Sequence, residues 1–233
     1  MFRLAVLASG SGTNLQAIID KLHRGGAAAP RGAEATLGSL AAPGSGQGAI
    51  EIAPTAIEVA LVVSDTWSAG ALHRAEMAGI PTAVFPFADY ASPAEHDLAM
   101  AAAIKAAGAD LVVMAGYMRL LAPAFLGLFP WRVINLHPAL LPSFPGTTSI
   151  SDALRYGVKV TGVTVHFADS GMDTGPVILQ EPVRVEDDDS VESLAVRIHA
   201  VEHELLPRAI EWIAAGKVTP PATGSRMVRV TRE

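Results

Sequence analysis

Short apolar runs separated by helix-length amphipathic stretches recur along this chain, and that alternation admits few folds. Leu4 to Ala8 is the first run, continuous as in a parallel strand buried on both faces. Ser9-Gly10-Ser11-Gly12-Thr13-Asn14 follows, and then Leu15, Ile18, Ile19 and Leu22 repeat at helical spacing. The pattern resumes with a strand over Ile57 to Val63, ended by Ser64-Asp65, a helix over Ala69 to Met77 and a third strand over Pro81 to Phe85. Ser92-Pro93, in the favoured cap-then-proline order, opens a helix to about Ala107. A fourth strand, Leu111 to Met114, ends at Ala115-Gly116; Pro123 to Phe129 predicts a short helix, and a fifth strand starts at Trp131 and runs into Asn135. Strands alternating with helices over short connections predict an α/β fold with a doubly wound, mostly parallel sheet. After a helix over Ser149 to Tyr156, Thr161–Phe167 and Val177–Val183 read as an antiparallel C-terminal hairpin, joined by the polar loop Asp169 to Gly175. Asp187-Asp188-Asp189 reads as a solvated turn and cap ahead of a long helix, Leu194 to Ala214, with a kink at Pro207. Trp67, Trp131 and Trp212 read as packing residues.

The composition narrows the function classes. The 233 residues suffice for one domain with a large core. Net charge is −6 with no basic block, which argues against a nucleic-acid groove. The absence of Cys removes disulfides, a thiol nucleophile and thiolate metal sites. No apolar run reaches the roughly 18 residues of a membrane span. The N-terminus enters the first strand without a cleavage pattern. A soluble, cytoplasmic protein acting on small molecules is therefore expected, as a monomer or homodimer. Residues 24–55 are mostly Gly, Ala, Pro and Ser and read as a flexible insertion, with a little local structure at Ile50 to Ala53. The expected organisation is a domain over 1–217 carrying that insertion, then a tail over 218–233.

Two motifs carry chemistry. Asn135 and His137 stand two apart at the end of a strand, so they project from one face, and Pro138 stops the strand. An amide and an imidazole at the carboxyl end of a strand lie where α/β sheets bind ligands. Such a pair suits acyl-type chemistry through an oxyanion, although both could simply cap backbone. The Gly-rich turn between the first strand and helix is built to offer free amides to an anion. Its match to a dinucleotide fingerprint is incomplete: Leu15 replaces the third Gly, and neither Glu34 nor Asp65 serves as the ribose acid. A monophosphate cradle fits better than a pyrophosphate site, and a tight turn that binds nothing is the plainer alternative. His199-Ala200-Val201-Glu202-His203 spells the zinc motif H-x-x-E-H, which opens a remote metallopeptidase reading.

Three separated segments coincide: Ser9 to Gln16, Ile134 to Pro142 and Gly162 to Pro176, together with Ala115 to Leu121 and Ile198 to His203. In these the chain resembles the phosphoribosylglycinamide formyltransferases, the folate-dependent transformylases of purine synthesis, over about residues 3–215 apart from 24–55. The resemblance implies a Rossmann-like formyltransferase fold and transfer of a formyl group from 10-formyltetrahydrofolate, as co-substrate and without a metal, to the amine of 5-phosphoribosylglycinamide. It implies that Gly12, Thr13 and Asn14 hold the acceptor's phosphate through backbone amides and short polar side chains. Met118, Arg119, Leu120, Leu121, Val163 and the Asp169 to Asp173 loop would form the folate pocket, and Glu202 would position the glycinamide. Asn135, His137 and Asp173 would be the catalytic trio, with Asp173 keeping His137 charged, and His166 a structural support. Read singly, Asp173 is an ordinary turn residue before Thr-Gly, and Arg119 a surface ion-pair partner. Thr147 to Ile150 and Pro93 depart from the family pattern, where a His and an Arg are common. The same trio would also serve a 10-formyltetrahydrofolate hydrolase or a formyltransferase with another acceptor.

Overall fold

The computed structural model describes residues 1–23 and 56–231. Glu34 and the expected insertion, with its local structure at Ile50 to Ala53, lie outside the described residues. Seven strands form the main sheet: β1 (Phe2–Leu7), β2 (Ile57–Ser64), β3 (Thr82–Val84), β4 (Leu111–Met114), β5 (Val133–His137), β6 (Val160–Phe167) and β7 (Val177–Arg184). Their spatial order is β3-β2-β1-β4-β5-β6-β7. The pairings from β3 to β5 are parallel; β6 joins β5 antiparallel, and β7 joins β6 antiparallel. The hairpin read from sequence is therefore β6–β7, and it is the continuing edge of the main sheet. Strand order reverses between β1 and β4, so a crevice opens at their carboxyl ends.

The alternation of side chains along each strand divides the core in two. Leu4 and Val6 face α1 (Thr13–Leu22) and α6 (Val191–Ala214), with α2 (Gly70–Met77) and α5 (Ser149–Tyr156) on the same side. Ala5 and Leu7 face α3 (Pro93–Ala106) and α4 (Pro123–Leu128), where Met100, Ile104 and Phe125 are buried. A strand covered on both faces needs an unbroken apolar run, as Leu4 to Ala8 supplies.

Local chemistry differs from the sequence reading in three places. The long helix starts at Val191, not Leu194, because Ser190 caps it: its hydroxyl accepts from the Ser193 amide, and Ser193 answers the Ser190 amide. Asp189 is neither the cap nor solvated. Its side chain is 3% exposed, accepts from the Ser193 hydroxyl and pairs with Arg197, and those bonds hold its carboxyl below the usual carboxylate range. Trp67 does not pack, being 74% exposed; Trp131 is half exposed with its ring edge-on to Phe167, and Trp212 lies against the core. Trp131 has a φ of 56°, which delays the start of β5 to Val133.

The residues after α6 form a second small sheet, β8 (Val218–Thr219) with β9 (Arg229–Val230). Between them, the Arg226 guanidinium donates to the Thr174 carbonyl, inside the loop that joins β6 to β7. Among the described residues no helix is long and apolar enough to cross a membrane.

Candidate active site

Because β5 is covered on both faces, its alternate residues have separate fates. Ile134 and Leu136 enter the α1/α6 core, while Asn135 and His137 point the other way, beyond the end of the parallel strands. The antiparallel register of β6 sets His166 opposite Asn135 and Thr164 opposite His137. Opposed residues share a face, so the four polar groups form one patch. Thr164 is fully buried; it donates to the Ala139 carbonyl at 2.7 Å and accepts from the Leu141 amide at 3.1 Å, which fixes the chain as it leaves His137.

Asp173 enters this patch from the β6–β7 loop. Its Oδ1 accepts from Asn135 Nδ2 at 3.2 Å, its Oδ2 accepts from the Gly146 amide at 2.8 Å, and its Oδ2 lies 3.3 Å from His137 Nδ1. The other His137 nitrogen, Nε2, donates to the Phe144 carbonyl at 2.8 Å. Both holders of His137 have left-handed backbones, Phe144 with φ 53° and Asp173 with φ 54°. An aspartate tolerates that region, whereas for a bulky phenylalanine it is an outlier of the kind found at functional sites. Gly175 is obligatory behind Asp173: a Cβ there would lie 1.6 Å from the Phe167 carbonyl oxygen.

The protonation pattern follows from these partners. His166 Nδ1 donates to the Phe167 carbonyl at 2.9 Å, which leaves Nε2 to accept from Asn135 Nδ2 at 3.2 Å. Both Nδ2 hydrogens of Asn135 are thereby engaged. Burial pushes the His137 imidazole below its ordinary value of 6.5 and outweighs the upward pull of Asp173. The net lowering runs against the expectation that Asp173 keeps His137 charged: desolvation favours the neutral ring, although acceptors face both ring nitrogens. Burial pushes Asp173 up, but the neighbouring His166 ring, the hydrogen bond from the Gly146 amide and the His137 ring bring it net below its usual range.

On one side of the patch lies the Gly-rich turn. Gly12 precedes α1 with φ 75°, and a Cβ there would come within 2.6 Å of Ala71 Cα, so only glycine lets the turn lie on α2. The first amides of α1, from Thr13 on, face the cleft without carbonyl partners in the helix. Arg74 braces the turn from outside, its Nε donating to the Ser11 carbonyl at 2.9 Å. The Asn14 side chain departs from the expected role. Its amide donates to buried Glu202 Oε2 at 2.9 Å, and its Oδ1 is buried without a partner, an acceptor that cannot hold a phosphate. His199 Nδ1 lies 2.9 Å from the same Glu202 oxygen, which raises the His199 pKa. Of the H-x-x-E-H residues His199 and Glu202 are thus engaged with each other, and among the described residues no group of three or more such side chains could hold a metal ion.

On the other side, the loop from Tyr117 to Leu121 lies over the end of β4. Arg119 donates from Nε to Asp65 Oδ2 at 3.0 Å and stacks 3.9 Å above the Phe87 ring; it is at once an ion-pair partner and part of the cleft wall. Met118 and Leu120 are exposed, and Leu121 is buried. Asp169 binds its own loop, accepting from the Thr174 hydroxyl at 2.6 Å. A cleft of about 310 Å³ joins the two sides, lined by the Gly12 turn, the Met118–Leu121 loop, Asn135, His137, His166, Asp169, Asp173 and Glu202. Val163 is absent from it: one residue out of phase with Thr164, it points into the α6 core with no exposed area. Thr147 lines the cleft, and Pro93 is the first residue of α3. The Phe144 carbonyl, the Gly146 amide and His199 escaped the sequence reading. The first two are backbone groups, and His199 was visible only as part of a metal pattern.

The sequence and the fold both have known relatives. A profile of the formyl transferase family matches residues 47–210. The chain is similar to the phosphoribosylglycinamide formyltransferase of Mycobacterium tuberculosis, 42% identical over 93% of this chain and 87% of that protein. It is also similar to that of Bacillus subtilis, 34% identical over 91% of this chain and 95% of the relative. Among solved structures, glycinamide ribonucleotide transformylase 1 from Symbiobacterium toebii superposes with a TM-score of 0.82 at 40% identity, over all of this chain and 95% of that one.

Proposed function

The chain belongs to the formyl transferase family, and from that premise we propose how its residues move a formyl group from 10-formyltetrahydrofolate to the amine of 5-phosphoribosylglycinamide. The products are formylglycinamide ribonucleotide and tetrahydrofolate, in purine synthesis. The observation that carries the mechanism is the Asn135–His137–Asp173 network at the floor of a cleft whose two walls differ in chemistry. The amide-lined turn at Gly12 and Thr13 takes the acceptor's phosphate. The apolar wall at Met118 to Leu121, with Arg119 at its edge, takes the folate. Glu202, held by Asn14 and His199, offers its carboxylate to the hydrogens of the glycinamide ribonucleotide.

In the reaction the acceptor amine attacks the formyl carbon, a new C–N bond forms, and the formyl oxygen gains negative charge. Asn135 is the donor placed for that oxygen. Since both its hydrogens are engaged, the oxyanion takes the one accepted by His166 Nε2, and the exchange is favourable because the new acceptor carries a developing full charge. The attacking amine then loses a proton. Neutral His137 accepts it, directly or through water, and the resulting imidazolium pairs with Asp173, so the carboxylate stabilises the charged ring only once it forms. The bond to the folate nitrogen breaks, and the proton passes to that nitrogen. Holding both substrates in one cleft contributes much of the rate.

Within the same reading the protein is cytoplasmic, works as a monomer or homodimer on small molecules alone and needs no metal. Residues 1–217 form the catalytic domain, with an insertion at 24–55, and 218–233 follow as a tail. The net charge of −6 with no basic block supports small molecules rather than nucleic acid as its partners. The test is tetrahydrofolate release from 10-formyltetrahydrofolate, followed spectrophotometrically with and without glycinamide ribonucleotide. Acceptor-dependent release that vanishes in Asn135→Ala and His137→Ala is expected; release indifferent to the acceptor would identify a hydrolase instead.

A further inference from the structure

Helix α3 carries a buried polar pair that the mechanism does not use. His96 has no exposed area and Asp97 is 3% exposed. His96 Nε2 lies 3.0 Å from the Phe85 carbonyl, which can only accept, so that nitrogen carries a hydrogen. His96 Nδ1 lies 2.9 Å from Asp97 Oδ1. The second carboxylate oxygen accepts from the Ala122 amide at 2.6 Å. One continuous chain of hydrogen bonds therefore runs from the end of β3, through α3, to the residue that opens α4.

Buried groups of this kind are costly unless fully paired, and this pair is aimed at one structure. Ala122 closes the loop whose residues Met118, Arg119 and Leu120 form the apolar wall of the cleft. A second route reaches the same loop. The rings of Phe87 and Tyr90 stand edge-on to the His96 imidazole at 5.3 Å and 5.2 Å, and Phe87 is the ring beneath the Arg119 guanidinium. A third contact from the same helix is Tyr117, whose hydroxyl donates to Met100 Sδ at 3.6 Å. Helix α3 thus holds the loop at both ends and supports the Arg119 side chain from below, while among the described residues the pair's hydrogen bonds reach only Phe85 and Ala122, away from the acceptor side on α1 and α6.

We propose that His96 and Asp97 are positioning residues for formyl-donor binding: their linked hydrogen bonds to the Phe85 carbonyl and the Ala122 amide fix the Met118–Leu121 wall and the plane of Arg119. The role rests on the folate lying against that wall. Steady-state kinetics with each substrate varied in turn separates it from a general loss of fold. Asp97→Ala frees the Ala122 amide and raises the donor KM about tenfold, the equivalent of one lost hydrogen bond to a charged group. The acceptor KM and kcat stay within about twofold, the signature of an interaction made equally in ground and transition states. Asp97→Asn restores the donor KM to within about threefold of the wild type, because its carbonyl still accepts from Ala122 and its amide can donate to His96.

Phe87→Leu tests the second route at a partly exposed site and should also raise the donor KM alone. Should Asp97→Ala fail to fold, an unchanged donor KM in Phe87→Leu overturns the proposal. Donor and acceptor KM rising together, an unshifted donor KM in soluble Asp97→Ala, or Asn as damaging as Ala would equally overturn it. A wild-type protein without acceptor-dependent turnover is a different result, which removes the functional reading before any variant is compared.

Discussion

Replacing Asp173 with Asn removes one charge from the site and one of the two acceptor oxygens of residue 173. Asparagine tolerates the left-handed backbone that residue 173 adopts. Its carbonyl can still accept from the Gly146 amide, while Asn135 Nδ2 keeps His166 as its acceptor. The larger loss is the attraction between the carboxylate and a protonated His137 across 3.3 Å. At that separation a unit pair is worth roughly 5 kcal/mol at an effective dielectric of about 20, and roughly 1 kcal/mol at the value for water. The side chains are 4% and 12% exposed but border an open cleft, which sets the loss near 3 kcal/mol, about two orders of magnitude in kcat. The pH profile adds a sign. Neutral His137 must take the amine's proton, so kcat/KM falls as pH drops through its pKa, which burial places below 6.5. Asp173 pulls that pKa upward, so its removal moves the acid limb to still lower pH. Acceptor-dependent turnover measured from pH 4 to 9 in a wide-range buffer, to ~0.1 unit in the fitted pKa, reads both effects. A variant within threefold of wild type with an unmoved limb would refute the idea that Asp173 acts on the proton held by His137.

Two further outcomes test the frame around the trio. Gly12→Ala drives a Cβ against Ala71 backbone and fixes an unfavourable φ, so the acceptor KM should rise at least about tenfold while the donor KM holds; varying each substrate separately checks it. Ser190→Ala removes one half of the α6 cap and should lower stability by about 1 kcal/mol in urea denaturation with kcat unchanged, since the cap lies about two and a half turns of helix before His199.

The parts of the site that were legible in the sequence are those set by local periodicity. Asn135 and His137 share a face because strand side chains repeat every two residues, and the Gly12 turn reads as strand, turn and helix. What was hidden depended on register and on competition between terms. Val163 was placed in the folate pocket by resemblance, yet it is out of phase with Thr164 and His166, and only the pairing of β5 with β6 shows which parity faces the cleft. The direction of the His137 shift was hidden as well, because desolvation, which needs the third dimension, outweighs the carboxylate. Asp189 looked like a cap from its spacing, but Arg197, two turns along the helix, claims it and leaves the capping to Ser190. His96 and Asp97 carried no signal at all, since their partners are backbone groups of Phe85 and Ala122.

The reversal of strand order between β1 and β4 has a consequence for how such a chain can diversify. In the proposed function the acceptor-facing groups hang from β1, α1 and α6, the donor-facing wall from β4, and the transfer chemistry from β5 and β6. No one segment contributes to all three. Selection can therefore rewrite the β1–α1 turn, or the α6 face at His199 and Glu202, to admit a different amine while the oxyanion donor and proton carrier keep their geometry. A library randomised only at those acceptor positions would explore new nucleophiles on an intact one-carbon transfer engine, and the sheet's switch point is the seam along which the two inheritances separate.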